Sequence, residues 1–347
     1  MIRSILQLIH RLGLIELFIL FFVLVNVFTF TLYARDKRKT TKGEEHIRER
    51  TLLFFTLFCG GIGAFFGIYV LRHKTNIRKF KFVLLIGMLV VSVALTHVVY
   101  AVTVGQSVRF TEITLHHEQW PEDLNGYRIA FMTDFHVITD EAMADIVTKL
   151  NEQSINLLLL GGDFSMSNAH YRGTLREIAQ TDTTDGIFGV DGNHDNYAAL
   201  FAAMERYGIT PLDNTSIQIQ PGFSLAGVQD LWRRNPNIAA ATTGIAADDF
   251  TLLLTHNPDV IMTQSTADVD LVLAGHTHAG QITLFGWPFY LLLRTISDYG
   301  TEFAYGLSVS PDGAPIFVSS GVGVYYSWPR IFARAEVVII TMYATVD

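Results

Sequence analysis

Five segments between residues 134 and 278 each place carboxylate, imidazole or amide side chains directly after a short apolar run. Such groups could bind metal ions, and a donor set without thiolate suits Mn²⁺, Fe or Zn²⁺. The sole cysteine, Cys59, can make neither an internal disulfide nor a cysteine-based zinc site. The five segments are DFH at 134–136, GGD at 161–163, DGNHD at 191–195, THN at 255–257 and GHTH at 275–278.

The apolar runs that precede these segments predict β-strands. Residues 140–153 and 196–207, which lie between them, have the apolar spacing of amphipathic helices. This alternation predicts α/β layers, in which ligands gather beyond the carboxyl ends of the strands. We therefore expect the five strand ends to meet at one rim. The predicted strands are 128–133, 157–160, 187–190, 251–254 and 271–274.

The spacing within the segments predicts how their side chains point. Asp134 and His136 are two residues apart, as are the two histidines of 276–278, so in an extended chain each pair faces one side. Asn193 and His194 are adjacent and should point differently, so we expect only one of them to bind metal. A single strand-end Asp or His is more often a turn former, but five such ends in one domain favour a metal site.

The motifs DxH, GGD, GNHD, THNPD and GHTH, in this order, resemble those of the calcineurin-like metallophosphoesterases over about residues 108–347. Val137 and Ala279 depart from the usual pattern, although neither is a ligand position. The resemblance implies an α/β (α+β) fold, a β-sandwich flanked by helices on both outer faces. Similarity to a membrane-associated or exported bacterial subgroup extends through GVQDLW at 227–232, GHTHAGQ at 275–281 and VSSGVG at 318–323.

The resemblance also implies two divalent metal ions, with Mn, Fe and Zn as the candidates. Carried over motif by motif, it implies seven ligands. These are Asp134, His136 and His278 for one ion, Asn193, His256 and His276 for the other, and Asp163 as the bridge between them.

This ligand set implies hydrolysis of a phosphodiester, phosphomonoester or pyrophosphate by a metal-activated hydroxide, because two cations lower the pKa of a shared water and clamp phosphoryl oxygens. His194 would stabilise or protonate the leaving oxygen. Asp195 would orient that imidazole, or it would cap the helix predicted over 196–207. An alternative of a different class is a membrane module whose metal domain binds or senses without catalysis.

Charge and nearby apolar residues bear on the substrate. Residues 105–347 carry 11 Lys and Arg against 28 Asp and Glu, a net charge of −17 that argues against a nucleic-acid partner. Arg330 would meet a phosphate or be an exposed structural arginine. Trp287 belongs to an apolar aromatic stretch, 284–293, that would dip into lipid headgroups or form a buried strand and turn. Tyr325 would line the pocket or simply pack. The lipid interpretation makes the protein a lipid-linked pyrophosphatase of envelope biosynthesis.

The front third of the chain has the composition of a membrane region. Of the 347 residues 50% are hydrophobic and 17% are charged, and the mean hydropathy is +0.30. Residues 1–104 carry 14 Lys and Arg against 5 Asp and Glu. We therefore expect a helical transmembrane domain over 1–104 and a phosphoesterase domain over 105–347. Three apolar stretches are long enough to cross a bilayer and predict a multi-pass protein: 12–33, 51–71 and 82–106.

Two consecutive basic loops bear on the orientation in the membrane. Loop 34–50 carries seven Lys and Arg with four acids, and loop 72–81 carries five with none. Such residues prefer the cytoplasm, yet both loops cannot lie there if the segment between them crosses fully. Either the glycine-rich second segment is re-entrant or one loop breaks the rule. With loop 72–81 in the cytoplasm, the catalytic domain is extracytoplasmic.

The front region also resembles a family of small bacterial membrane proteins of unknown function, over about residues 14–100. This resemblance supports a membrane location and implies no activity. The matching residues are Asn26, Phe30, Tyr33, Asp36-Lys37, Glu49-Arg50, Gly60-Gly61, Gly63-Ala64, Gly67 and Arg72-His73-Lys74-Thr75.

Overall fold

The chain divides into two compact units, Met1–Thr103 and Val104–Asp347. Each unit is described by itself below. The computed structural model describes residues 14–105, 107–164, 171–288, 296–324 and 329–345.

From residue 14 onward, two helices of the first unit are long and apolar enough to cross a membrane, namely α1 (Leu14–Lys42) and α4 (Arg78–Thr103). Between them lie α2 (Glu49–Leu57) and α3 (Gly61–Phe65), and α3 continues as a π-helical turn over Phe66–Val70. The prediction that residues 51–71 form one membrane-spanning segment is therefore corrected. It forms short helical pieces that are interrupted at 58–60.

The interruption at 58–60 is hydrogen-bonded by the side chain of Asn26, which belongs to α1. Asn26 Nδ2 donates to the carbonyl oxygen of Cys59 at 2.9 Å, and Asn26 Oδ1 accepts from the Gly63 N–H at 2.9 Å. These bonds satisfy main-chain groups that have left the helical ladder, as is required of backbone away from water. A Cβ on Gly61 would lie 2.7 Å from the backbone of Gly87. Close helix packing therefore requires glycine there.

In the described part of the second unit there are two six-stranded sheets and a separate two-stranded hairpin, β10 (Thr283–Leu284) and β11 (Trp287–Pro288). The first sheet has the order β1 (Arg109–His117), β14 (Glu336–Ala344), β2 (Tyr127–Met132), β3 (Leu157–Leu160), β4 (Ile187–Gly189), β5 (Thr210–Pro211). The second has the order β12 (Gly306–Val309), β13 (Pro315–Val318), β9 (Leu271–Ala274), β8 (Phe250–Leu254), β7 (Phe223–Gly227), β6 (Thr215–Gln220).

Both sheets are mixed, with parallel strands at their centres. In the first sheet β2, β3, β4 and β5 run parallel, and β14 pairs antiparallel with β2. In the second sheet β13, β9, β8 and β7 run parallel, and both edge strands pair antiparallel. The five strands expected from the sequence are therefore divided, three in the first sheet and two in the second.

The central strands are buried on both faces, which explains their continuous apolar runs. Ile129 and Phe131 of the first sheet share a core with Leu252 and Leu254 of the second. The neighbouring Ala130 instead packs outward among helical residues. The helices are α5 (Asp140–Asn151), α6 (Tyr171–Ile178) and α7 (Tyr197–Arg206) beside the first sheet and α8 (Ile238–Thr242) beside the second. This helix-flanked β-sandwich confirms the predicted fold.

Candidate metal centre

Strands from both sheets deliver the predicted ligands. The first sheet supplies Asp134, Asp163 and Asn193 after β2, β3 and β4, and the second supplies His256 and His276 after β8 and β9. The predicted ligands therefore lie together at one rim, where the carboxyl ends of strands from both sheets meet. All seven predicted ligands, Asp134, His136, Asp163, Asn193, His256, His276 and His278, are buried.

Asp134, His136 and His278 form the first group of candidate ligands. One ligand atom from each lies within 4.8 Å of those from the other two. His278 Nε2 lies 3.0 Å from His136 Nε2 and 3.4 Å from Asp134 Oδ1. The structure thus brings together the three side chains that the motifs assign to one ion.

Asp163, His256 and His276 form the second group, again with ligand atoms within 4.8 Å of one another. His256 Nε2 lies 3.1 Å from His276 Nδ1 and 3.2 Å from Asp163 Oδ2. The amide oxygen of Asn193 lies 3.1 Å from the same His256 nitrogen. The predicted amide ligand therefore lies with this group.

Asp163 lies between the two groups. Its Oδ2 atom is 3.2 Å from His256 Nε2 of the second group and 3.5 Å from His136 Nε2 of the first. Its other oxygen, Oδ1, accepts from the main-chain N–H of His194 at 2.8 Å. One carboxylate oxygen that reaches ligand atoms of both groups agrees with the predicted bridging role of Asp163, which stays a prediction.

The backbone at the candidate ligands is unusual, because five of the seven have a positive φ. For residues other than glycine this region is sparsely populated and costs free energy. The expectation that Asp134 and His136 converge through an extended chain is therefore wrong, since tight left-handed turns bring them together. The φ values are 55° for Asp134, 36° for His136, 56° for Asp163, 71° for His276 and 51° for His278.

Two glycines of the motifs allow the ligand loops to approach one another. A Cβ on Gly192 would overlap the carboxylate of Asp163, and a Cβ on Gly275 would overlap the carboxylate of Asp134. Any side chain at these positions would displace a candidate ligand. The glycines beside the ligands are therefore part of the site.

The carboxylate of Asp195 binds main-chain donors of two loops. Its Oδ2 accepts from the N–H groups of Asp163 and Gly192 at 2.9 Å, and its Oδ1 accepts from the Phe164 N–H at 2.9 Å. Asp195 therefore ties the loop of the bridging candidate to the GNHD loop.

The capping role considered for Asp195 is wrong. Helix α7 is capped by Asn196, whose side chain accepts from the Ala199 N–H at 3.3 Å. The orienting effect of Asp195 on His194 stays a prediction.

Burial and neighbouring charges set the protonation of the two groups. Burial raises the pKa of Asp134 to about 6 and lowers the pKa of His276 to about 3. Burial disfavours both charges of the Asp163–His256 pair, but their attraction holds the pKa of Asp163 below and that of His256 above the usual value. An imidazole binds metal in its neutral form, so a cation at this pair would compete with protons for His256.

The chemistry of this donor set fits two divalent cations. Imidazole nitrogens face one another at 3.0 and 3.1 Å, and two buried carboxylates face the same points. Lone pairs that converge in this way are stabilised when a cation lies among them. Nitrogen and oxygen donors without sulfur match Mn, Fe or Zn. There are two groups, so the site fits two ions.

Arg330 is not the exposed structural arginine that was one of the two expectations. Its side chain is buried, and its guanidinium donates to the carbonyl oxygens of Gly323, Ala333 and Gly321 at 2.7, 3.1 and 3.2 Å. Its Nη2 atom also lies 3.4 Å from His278 Nδ1. Arg330 therefore supports the loops beneath the first group. A contact with the substrate phosphate stays a prediction, which this burial does not favour.

The two aromatic candidates have different outcomes. Trp287 lies on the β10–β11 hairpin and is 81% exposed. The alternative of a buried strand and turn is therefore wrong for this residue. Tyr325 lies outside the described residues, so its predicted place in the pocket stays a prediction.

Trp232 lies beside a candidate ligand, although its sequence position alone does not predict this. Its ring centroid lies 4.5 Å from that of His276, and its side chain is 47% exposed. The signal in the sequence that could have identified Trp232 is its position in GVQDLW, one of the segments that carry the family resemblance.

Comparisons with known proteins agree with this geometry. Residues 127–280 match the family described as calcineurin-like phosphoesterase, and residues 26–80 match a family described as protein of unknown function (DUF1294). The chain is 26% identical over 305 residues to an uncharacterized metallophosphoesterase of Campylobacter jejuni, covering 84% of this chain and 78% of that protein.

Two further relatives are matched over part of their length. An uncharacterized metallophosphoesterase of Helicobacter pylori (strain 26695) is 31% identical over 62% of this chain and 59% of its own length. A transmembrane protein with metallophosphoesterase domain of Danio rerio is 26% identical over 70% of this chain and 59% of its own length. The chain thus spans about three fifths of these two relatives.

Helices α1 and α4 and the transmembrane relative together indicate membrane association. Two Asp/His groups at the strand ends, with the family match across those strands, indicate a centre for two divalent metals. The second unit therefore contains a calcineurin-like metallophosphoesterase domain, matched over residues 127–280 and typical of metal-dependent phosphoesterases, and residues 26–80 before it match the DUF1294 family.

Proposed function

We propose that this protein hydrolyses phosphodiester, phosphomonoester or pyrophosphate bonds at the two ligand groups while anchored in a membrane. The observation that carries the proposal is the position of Asp163 Oδ2, 3.2 Å from a ligand atom of one group and 3.5 Å from a ligand atom of the other. A shared carboxylate holds two cations at the separation that clamps a phosphoryl group.

The chain's own residues have distinct roles in this reaction. When bound, the two cations supply a water of lowered pKa and positive charge for the phosphoryl oxygens. Asp163 would hold both cations, and Asn193 would add a neutral oxygen ligand that does not reduce the positive charge. His194, whose main chain is fixed by Asp163 Oδ1, protonates the leaving oxygen. Asp195 keeps the two loops in register through its three main-chain bonds.

We further propose that the organic part of the substrate is a lipid. Leu284, Phe285 and Trp287 of the β10–β11 hairpin are 44%, 54% and 81% exposed. Large apolar side chains exposed together at one turn are typical of a surface that contacts lipid headgroups. This hairpin follows the His278 segment by a few residues, so it is connected directly to the metal centre. A lipid-linked pyrophosphate could place its phosphoryl group at the metal centre and its lipid against the exposed apolar hairpin.

One experiment tests the activity and the lipid preference together. The full chain in detergent micelles with added Mn²⁺ should hydrolyse bis(p-nitrophenyl) phosphate, and chelation with EDTA should abolish the rate. Trp287→Ser should lower the rate on a lipid-linked pyrophosphate in vesicles about tenfold relative to the rate on the soluble ester, because one large apolar contact is lost. Mn²⁺ binding without turnover would instead establish a non-catalytic module, and equal effects on both substrates would exclude the lipid interface.

We also propose that residues 49–71 form a re-entrant hairpin. At one end, Asp36 accepts from the Ile47 N–H at 2.7 Å and lies 2.7 Å from His73 Nε2, so both basic loops meet the same point of α1. At the other end, Asn26 binds the interruption at 58–60. Ten residues of helix separate Asn26 from Asp36, or about 15 Å, which is half of the roughly 30 Å hydrocarbon core.

The hairpin removes the conflict between the two basic loops. Because it enters and leaves on one face, loops 34–50 and 72–81 lie on the same side of the membrane, which the positive charges assign to the cytoplasm. Helix α4 begins at that side and is long enough to cross. The protein is then multi-pass, and the phosphoesterase unit is extracytoplasmic.

Cysteine labelling in spheroplasts checks this topology. In a Cys59→Ser background, cysteines at Glu44 and Asn76 should react with a membrane-impermeant maleimide only after lysis, whereas one at Asp248 should react in intact spheroplasts. All three positions are exposed side chains in their own unit. Opposite labelling of Glu44 and Asn76 would exclude the hairpin, and labelling of Asp248 only after lysis would exclude the extracytoplasmic assignment.

A further inference from the structure

Trp232 is a large aromatic side chain at the edge of the second ligand group. Its ring meets that of His276 edge-on, with centroids 4.5 Å apart and planes at 87°. His276 itself is buried, whereas Trp232 is 47% exposed. The indole therefore covers one side of a candidate ligand and presents the rest of its surface outward, where it does not contribute to the core.

The loop that carries Trp232 is fixed by a buried carboxylate. Asp230 is fully buried, and its Oδ2 accepts from the N–H groups of Trp232 at 2.9 Å and Arg233 at 2.7 Å. Among the described residues, Asp230 Oδ1 has no hydrogen-bond partner. A buried carboxylate is costly, and the two N–H groups that it accepts from fix the main chain of this turn.

Arg234 holds the other end of the loop against the GNHD segment. Its Nη1 atom lies 3.4 Å from Asp191 Oδ1 and 3.0 Å from Asp213 Oδ1. Its guanidinium also covers the ring of Tyr197 at 3.9 Å, a cation–π contact. The main chain on both sides of Trp232 is thus fixed without a ligand, which lowers the entropic cost of binding to its ring.

Other exposed apolar residues follow the ligand segments. Val137, directly after His136, is 53% exposed, and Tyr197, three residues after His194, is 47% exposed. Exposed apolar side chains next to a polar metal centre are typical of a site that binds a substrate with an apolar organic part.

We infer that Trp232 is a specificity-determining residue that stacks on a flat ring of the substrate while the ligand groups hold its phosphoryl group. The inference deepens the proposed function and rests on it. The substrate class is a phosphoester or pyrophosphate that carries an aromatic ring, such as an aryl group or a nucleobase. A lipid on the other side of the same phosphate is compatible with this assignment.

A pair of phosphonates tests the inference by equilibrium binding. Phenylphosphonate and methylphosphonate carry the same anionic group, and only the first has a ring. Calorimetric titration of the full Mn²⁺-loaded chain should show phenylphosphonate binding about tenfold tighter, the effect of one ring stacked on an aromatic side chain. Trp232→Ala should remove this preference and leave methylphosphonate affinity within about twofold, and Trp232→Phe should retain most of it.

Further variants separate stacking from a structural role. Asp230→Ala should remove the ring preference as Trp232→Ala does, whereas Asp230→Asn should retain it because the amide oxygen can still accept both N–H groups. Tyr343→Ala, which removes an exposed aromatic ring from β14, should change neither affinity.

The binding results also distinguish a failure of the role inferred for Trp232 from a failure of the proposed phosphoesterase function. A wild-type chain that binds both phosphonates equally, or a Trp232→Ala chain that keeps the preference or loses both affinities alike, would overturn the role of Trp232. Binding of neither phosphonate by the wild type would overturn the proposed function and this inference with it.

Discussion

A chain with Asp163 replaced by asparagine will hold fewer than two metal ions and will hydrolyse phosphoesters no faster than the background. Asp163 Oδ2 reaches both ligand groups, so the substitution removes negative charge from both ion sites at once. An amide oxygen can still accept from the His194 N–H, which Asp163 Oδ1 now does at 2.8 Å. The fold should therefore survive. Elemental analysis and turnover of bis(p-nitrophenyl) phosphate measure the two effects.

Asp249→Asn is a matched control for this variant. Asp249 is also a buried carboxylate, and it accepts from Ser224 Oγ at 2.9 Å. It precedes β8, whereas His256 follows the opposite end of that strand. We expect Asp249→Asn to retain two metals and wild-type turnover. Wild-type turnover in the Asp163→Asn chain would contradict the proposed centre.

Replacing His194 by alanine should keep both metals and lower kcat by about 10²–10⁴-fold, the usual contribution of general acid catalysis. His194 is close to the first group, since its ring centroid is 5.4 Å from that of His136. The main-chain bond from its N–H to Asp163 is unaffected by the substitution. The ligand loops should therefore remain in place while proton donation to the leaving oxygen is lost.

The leaving group distinguishes this role from a structural one. An alkyl leaving group needs a proton more than p-nitrophenolate does, so the rate loss should be larger for alkyl esters. Elemental analysis should still give two metals for each chain. An empty site, or equal losses on both kinds of ester, would show that His194 acts through metal binding or folding instead.

Much of the candidate centre was predictable because its signals are local in sequence. Each of the five ligand segments follows an apolar run, and those runs are β2, β3, β4, β8 and β9 in the structure. Apolar periodicity reports whether a segment is buried, and the side chains at its end report the chemistry that is possible there. The same local signals predicted apolar membrane helices, two of which are α1 and α4.

Other features depend on contacts between distant segments. Asp134 and His136 converge through left-handed turns, which spacing alone does not show. Arg330 is buried with its Nη2 atom 3.4 Å from Nδ1 of His278, which lies 52 residues earlier in the chain, although an arginine is usually exposed. Trp232 contacts His276 only because a loop of the second sheet folds over that ligand. In each case the deciding partner is remote in sequence or the turn has an uncommon conformation.

The sequence by itself determined the residue types that could hold two cations, the strands that carry them and the apolar character of the front third. Only the tertiary structure decided that two sheets share the site, that Asp163 lies between the groups and that 51–71 is interrupted beside Asn26. The physical reason is that the burial of a segment and the chemical groups that it carries follow from a short stretch of sequence. Convergence, strain and the pairing of polar groups are properties of the packed whole.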